Sequence, residues 1–255
     1  MDAAVILITV AAGVAMGAIN NLAGGAGVFG LLAFEHACGL PLVVANPSLR
    51  PAAVCVGVFS FLGYLRAGRR VPRSVWLQGL LAVPGAPIGS WLALHLPDLV
   101  FWIYLSCVLL LLLVQQARPS RPAGQRRPRP RWMAAVGCLL IGVHMGYAQI
   151  GVGLLSTLTL AATLGTDLVA ITAAKSTIVI LTSIASVGTF STADAVAWEP
   201  ALWLALGTAV GAYQASRWAV AKGSDAVRLV VLVVTAAMLA YAVYRMLQLL
   251  AHGNG

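Results

Sequence analysis

Charge is what this chain lacks most. Only 9% of its 255 residues are charged and only seven are Asp or Glu. A soluble domain of this size could not cover its surface with so few charges. Hydrophobic residues make up 60% of the chain, and the mean hydropathy is +0.92. The class that remains is an integral membrane protein.

Other absences narrow the function. The four cysteines, Cys38, Cys55, Cys107 and Cys138, lie singly in or beside apolar runs, with no CxxC or Cys/His spacing to hold zinc or frame disulfides. They read as small packing residues. No phosphate-cradling glycine–lysine loop is present, so ATP is not the direct energy source. No HExxH pair, nucleophile–base pair, ferredoxin-type or haem-ligating cysteine pattern occurs. No catalytic residue, metal or cofactor is expected, and the chain does not read as an enzyme. No Lys or Arg precedes the first apolar run and no cleavage site follows it, which reads as a retained span.

What is present is a series of apolar runs at 3–19, 44–65, 75–94, 99–116, 132–148, 168–190, 200–218 and 226–250. Each is long enough to cross ~30 Å of hydrocarbon at ~1.5 Å per residue. Two shorter pieces, 28–38 and 154–164, bring the count from eight spans to ten if they cross. The expected fold class is an all-α polytopic membrane protein of eight long spans plus two half-length helices.

The formal charge of +9 does not point to nucleic acid, because the charges are placed as a membrane protein places them. Arginines 118, 121, 126, 127, 129 and 131 share one proline-rich stretch, and 66, 69, 70 and 73 share one short loop. Clustered Arg marks cytoplasmic loops. Residues 118–131 therefore read as an extended cytoplasmic linker between a first transmembrane repeat, 1–117, and a second, 132–255.

The halves share unusual features. An apolar helix runs into Gly17-Ala18-Ile19-Asn20-Asn21-Leu22-Ala23-Gly24-Gly25-Ala26-Gly27-Val28, and again into Gly142-Val143-His144-Met145-Gly146-Tyr147-Ala148-Gln149-Ile150-Gly151-Val152-Gly153. Gly85 and Gly89 match Gly207 and Gly211, and Ala45-Asn46-Pro47-Ser48 matches Ala173-Ala174-Lys175-Ser176. Hydrophobic helices broken at matching places in two halves point to a carrier's binding site. With 66–73, 118–131 and 217–223 inside and 191–199 outside, the second repeat is inverted relative to the first. Both termini then lie outside, each glycine break holds a hairpin, and Arg245 weighs weakly against the assignment.

Glycine-rich segment, apolar half-helix, Gly39-Leu40-Pro41 or Gly165-Thr166-Asp167, then a helix opening with a small residue and Ser: this order resembles the TauE/SafE family of membrane transporters, over nearly the whole chain. The first copy has Asn46-Pro47-Ser48 where the family more often shows Gly-Thr-Ser. The resemblance implies passage of small sulfur-containing or organic anions, of the sulfite or sulfonate class, across a bacterial cytoplasmic membrane.

Candidate substrate-binding residues follow from chemistry. Gly85, Gly89, Gly207 and Gly211 read as helix-packing positions. Gly24, Gly25, Gly27, Gly151 and Gly153 are too dense for packing alone and would turn backbone N–H groups toward an oxyanion. Lys175 is the one lysine inside an apolar run, about 10 Å deep at 1.5 Å per residue. It either lines an anion site or snorkels to the interface. Ser176, Thr177, Asn46 and Ser48 would add donors. Asn20, Asn21 and Gln149 either bind substrate or satisfy the interrupted backbone. His144 and Glu35 are candidates for proton coupling, against structural roles for both. The partners expected are a small anion, a coupled proton or sodium ion, and the lipid bilayer.

Two other readings are a cation or drug exporter and a membrane-embedded enzyme on a similar scaffold. A cation carrier needs buried carboxylates, and the runs hold almost none besides Glu35 near an end.

Overall fold

A computed structural model describes residues 1–23, 27–117, 131–150, 152, 160 and 168–252. Linker positions 118–130, glycines 24, 25, 151 and 153, the half-helix expected at 154–164 and the 165–167 turn lie outside the described residues.

Among the described residues every regular element is a helix, and the helices fall on the apolar runs. They are α1 (Ala3–Ala23), α2 (Gly27–Leu32) with a π-helical turn (Ala33–Ala37), α3 (Leu42–Arg66), α4 (Arg73–Ala82), α5 (Gly85–His95), α6 (Asp98–Ala117), α7 (Arg131–Tyr147), α8 (Leu168–Thr192) and α9 (Trp198–His252). Gly223, at φ 80°, breaks α9 into an arm at 198–222 and an arm at 224–252, where the sequence predicts two runs. Among the described residues five helical stretches are long and apolar enough to cross a membrane, and 27–37, 98–114 and 135–147 are shorter apolar helices.

The distribution of side chains suits lipid. Leu7, Leu77, Leu111, Leu206 and Val233 face outward, while Thr9, Ser90, Thr208 and Ser216 are fully buried. Lipid tails are as apolar as leucine, so close backbone packing, with small residues at the contact, takes the place of a hydrophobic drive between helices.

Two glycine-on-glycine contacts do this packing. Gly13 of α1 meets Gly207 in the first arm of α9, Gly211 packs on Val14 and Ala18, and a Cβ on Gly17 would lie 2.3 Å from the Thr208 carbonyl oxygen. Gly142 and Gly146 of α7 meet α5 at Gly85 and Gly89 in the same way, a Cβ on Gly89 lying 1.9 Å from the Val143 carbonyl oxygen. As α1 advances from Gly13 to Gly17 its partner advances from Leu204 to Thr208, so this pair runs parallel, as does α5 with α7. In these contacts Gly13 meets Gly207 as Gly142 meets Gly85, whereas the glycine motifs alone set Gly17 beside Gly142.

Helices α3 and α8, of 25 residues each, run antiparallel through the centre. Tyr64 lies 3.1 Å from the Thr172 hydroxyl at one end, Gly57 meets Ser176 and Ile180 in the middle, and Arg50 lies over Phe190 at the other.

After the first break the chain returns alongside α1. Cys38, past the π-helical turn, returns to within 3.7 Å of Thr9 near the start of α1. Gly27, the first residue of α2, is buried against the second break, where a Cβ would lie 2.7 Å from Cγ1 of Ile150. The two broken segments therefore touch.

Candidate functional site

Helix α1 ends inside the protein, where its last carbonyls have no helical partner. Lys175, from the eighth position of α8, supplies one. Its ammonium donates to the carbonyl oxygens of Asn20 at 3.2 Å and Asn21 at 3.0 Å. Lys175 is 4% exposed, so it does not snorkel. The carbonyl end of a helix carries roughly half a negative charge, which offsets only part of one full positive charge.

The end of α7 is held in the mirror fashion by Arg50 of α3, which is fully buried. Its Nη2 donates to the carbonyl oxygens of Gly146 at 2.9 Å and Tyr147 at 3.1 Å, and to Asn46 Oδ1 at 3.1 Å. Nη1 donates to Gln149 Oε1. Gln149 itself takes a left-handed φ of 62° and closes α7 by donating its N–H to the His144 carbonyl at 2.9 Å. Among the described residues neither Lys175 nor Arg50 has an ion-pair partner.

Between α3, α8 and the tip of α1 lies a narrow cavity with Lys175, Ser60, Ser176, Asn20 and Asn21 as its polar wall. Val56, Val179 and Val152, the last from the second break, close it on the apolar side. The volume open to the centre of a water-sized sphere is about 10 Å³, on the order of one water. Ser60 Oγ, Asn20 Oδ1 and the Asn21 amide are buried there without a hydrogen-bond partner. A buried polar group left so costs free energy unless a ligand or water engages it. An ammonium, the Ser60 hydroxyl and an amide N–H are donors of the kind an oxyanion needs, whereas the Ser176 proton is spent on the Ala173 carbonyl.

The other residues expected at the site divide. Ser176 lines the cavity and donates to the Ala173 carbonyl at 2.6 Å, while Thr177 donates to Ala174 at 2.9 Å and faces elsewhere. Asn46 is committed to the second break, donating to the Tyr147 carbonyl at 3.0 Å and accepting from Arg50. Ser48 donates to Val44 at 2.7 Å and accepts from the Ala197 N–H at 2.8 Å, next to the start of α9. Gly27 is a contact between the breaks. His144 Nδ1 is 2.8 Å from the Tyr104 hydroxyl. Glu35 pairs with Arg245 at 3.1 Å, and that guanidinium also lies over Trp102.

Arg50 and Ser60 escape the sequence reading. Arg50 interrupts the run 44–65 just as Lys175 interrupts 168–190, and the same cost of a charge in hydrocarbon singles it out once loop arginines are set aside. Ser60 has no such signal, since most buried serines bond their own helix.

A family model described as "Sulfite exporter TauE/SafE" matches residues 9–242. Comparison with curated proteins finds no match, and neither does comparison with solved structures.

Proposed function

The chain belongs to the sulfite exporter TauE/SafE family, and from that premise we propose that it is a secondary carrier for a small sulfur-containing or organic anion. The observation that carries this reading is the pair of buried cations at the two broken helices. Lys175 and Arg50 each cap a helix end with partial negative charge, and each retains net positive charge with no carboxylate paired to it among the described residues. The half-buried carboxylate of Glu35 already has Arg245. A site of this sign attracts anions and repels cations.

The substrate binds at the Lys175 cavity. Lys175 supplies charge, and Ser60 and the Asn21 amide, whose donors are not spent on another group, supply hydrogen bonds to oxyanion oxygens. The cavity as it stands holds on the order of one water, so a four-atom oxyanion enters only when α3 and α8 part. Alternating access then consists of one half rocking against the other, opening the cavity to each side in turn.

The antiparallel crossing of α3 and α8 and the two parallel glycine contacts support two inverted repeats, 1–117 and 132–255. On this reading the protein lies in a bacterial cytoplasmic membrane with both termini outside, and a proton or sodium ion accompanies the anion. The test is flux of radiolabelled sulfite, sulfate, thiosulfate, sulfoacetate and taurine into proteoliposomes, with and without a pH gradient. Accumulation of one of the anions supports the reading; no flux of any of them sinks it.

A further inference from the structure

Helix α8 is rich in hydroxyls, and they are not treated alike. Ser176, Thr177, Thr182, Thr189 and Ser191 each donate to a carbonyl three or four residues back, the usual solution for a hydroxyl inside an apolar helix. Ser183 and Ser186 do not. Both are at most 1% exposed, and both hydroxyls lack a partner.

Their positions on the helix are informative. Ser183 falls two turns beyond Ser176 on the same face, and Ser186 follows one turn later beside Phe190. Ser176 lines the Lys175 cavity, and Phe190 carries the Arg50 guanidinium 5.3 Å from its ring centre. The two unpartnered serines therefore stand between the two buried cations. From Lys175 to Ser186 the rise along α8 is about 16 Å. At the cavity end Ser60 Oγ is unpartnered, and at the other end so are Arg50 Nε and Gln149 Nε2.

We infer that the α3–α8 interface is a transfer path for an oxyanion. In this path Arg50 and Gln149 form a second anion subsite, and the Ser186 and Ser183 hydroxyls hand the anion on to Lys175. The inference rests on the carrier reading above and adds a second station to it. Arg50, Gln149, Ser186, Ser183 and Lys175 can each donate a hydrogen bond, and among the described residues the charges named on the path are the two cations at its ends. An anion leaving Lys175 exchanges its hydrogen bonds one hydroxyl at a time instead of losing them all at once. The barrier between stations is lowered without deepening either one, which raises rate more than affinity.

The experiment uses the full-length protein in proteoliposomes with radiolabelled sulfite and compares wild type with the double variant Ser183→Ala, Ser186→Ala. The maximal rate is expected to fall about tenfold, the loss of charge-assisted hydrogen bonds in transit. The half-saturating concentration should stay within about twofold, because neither station is touched. The thermal midpoint in detergent should hold or rise, since each substitution deletes a buried hydroxyl that had no partner. A double variant as fast as a wild type that carries sulfite overturns the path and leaves the carrier reading standing. A loss of rate that comes with a lowered thermal midpoint overturns it too, by making the serines packing residues. A wild type that carries no sulfite overturns the carrier reading for this anion, and the path with it.

Discussion

Arg50 Nη2 lies 3.1 Å from the carbonyl oxygen of Tyr147, so a helix of the first half closes the broken helix of the second. Lys175 returns the arrangement, closing α1 from α8. Each broken helix thus takes a buried, charge-assisted cap from a distant helix, Arg50 of α3 for α7 and Lys175 of α8 for α1.

Arg50→Met should therefore unfold the second break before it affects the first. It strands the Gly146 carbonyl, shared acceptors at Tyr147 and the Gln149 amide oxygen, at a cost of about 3 kcal/mol. A lowered thermal midpoint in detergent is the readout. Arg50→Lys should recover part of the loss, since a single ammonium cannot span the fork of acceptors. A midpoint equal to wild type in Arg50→Met would show that the cap is dispensable.

At Lys175 charge and hydrogen bonding can be separated. Lys175→Ala should weaken anion binding by about ten- to a hundredfold, and Lys175→Arg should restore it only in part because the pocket is narrow. Lys175→Gln keeps a donor for the Asn20 and Asn21 carbonyls and drops the charge, so it should fold normally and still bind weakly. Unchanged affinity in the Gln variant, measured by calorimetry with sulfite, would leave Lys175 a helix cap only.

The contact between the breaks is testable by compensation. Gly27→Ala places a methyl 2.7 Å from Ile150 Cγ1, a clash that must displace one break or the other. Transport should fall severalfold, on the order of 1–3 kcal/mol of strain. Ile150→Ala removes the atom that is met and should restore part of the rate in the double variant. Independent, additive losses would mean that the two segments do not bear on one another.

Glycines differ in what their absence of a side chain is for. Gly85→Leu cannot be accommodated, because even a Cβ would lie 2.3 Å from the Leu139 carbonyl, and the variant should not accumulate in the membrane. Gly188 has open space around it, so Gly188→Ala should express normally and gain about 1 kcal/mol of helix propensity. Equal expression of both variants would remove the glycine contact as an organising feature. Gly25→Leu and Gly151→Leu, in the segments proposed to meet substrate, should express yet fail to transport.

Orientation is checked by labelling. With the native cysteines removed, a cysteine at position 124 should react with an impermeant reagent only after the inner face is exposed. Labelling in intact cells would reverse the assigned orientation.

The helices were legible from sequence because their cause is local. An uninterrupted apolar run has one stable form in hydrocarbon, a helix that satisfies its own backbone, and α1, α3, α6, α7 and α8 begin and end within a few residues of the runs. Gly85, Gly89, Gly207 and Gly211 were readable as contact residues for the same reason, since four-residue spacing places both glycines on one face. Lys175 was readable as a residue needing a partner because the cost of burying its charge is independent of fold.

The partners themselves are decided only by tertiary structure. Asn20 and Asn21 are more than 150 residues from Lys175, and Gln149 is 99 from Arg50. Nothing in local pattern says that a cation on α8 will cap α1, or that Asn46 and Ser48 will be spent on caps while Ser60 faces a cavity. The same reason hides Arg50, whose meaning depends on which helix end arrives beside it. Composition determines that these chains of residues must be helices in a membrane. Which helix ends, amides and hydroxyls are left over to meet an anion depends on how distant backbone carbonyls and buried cations pair, and that pairing exists only once the two halves are packed together.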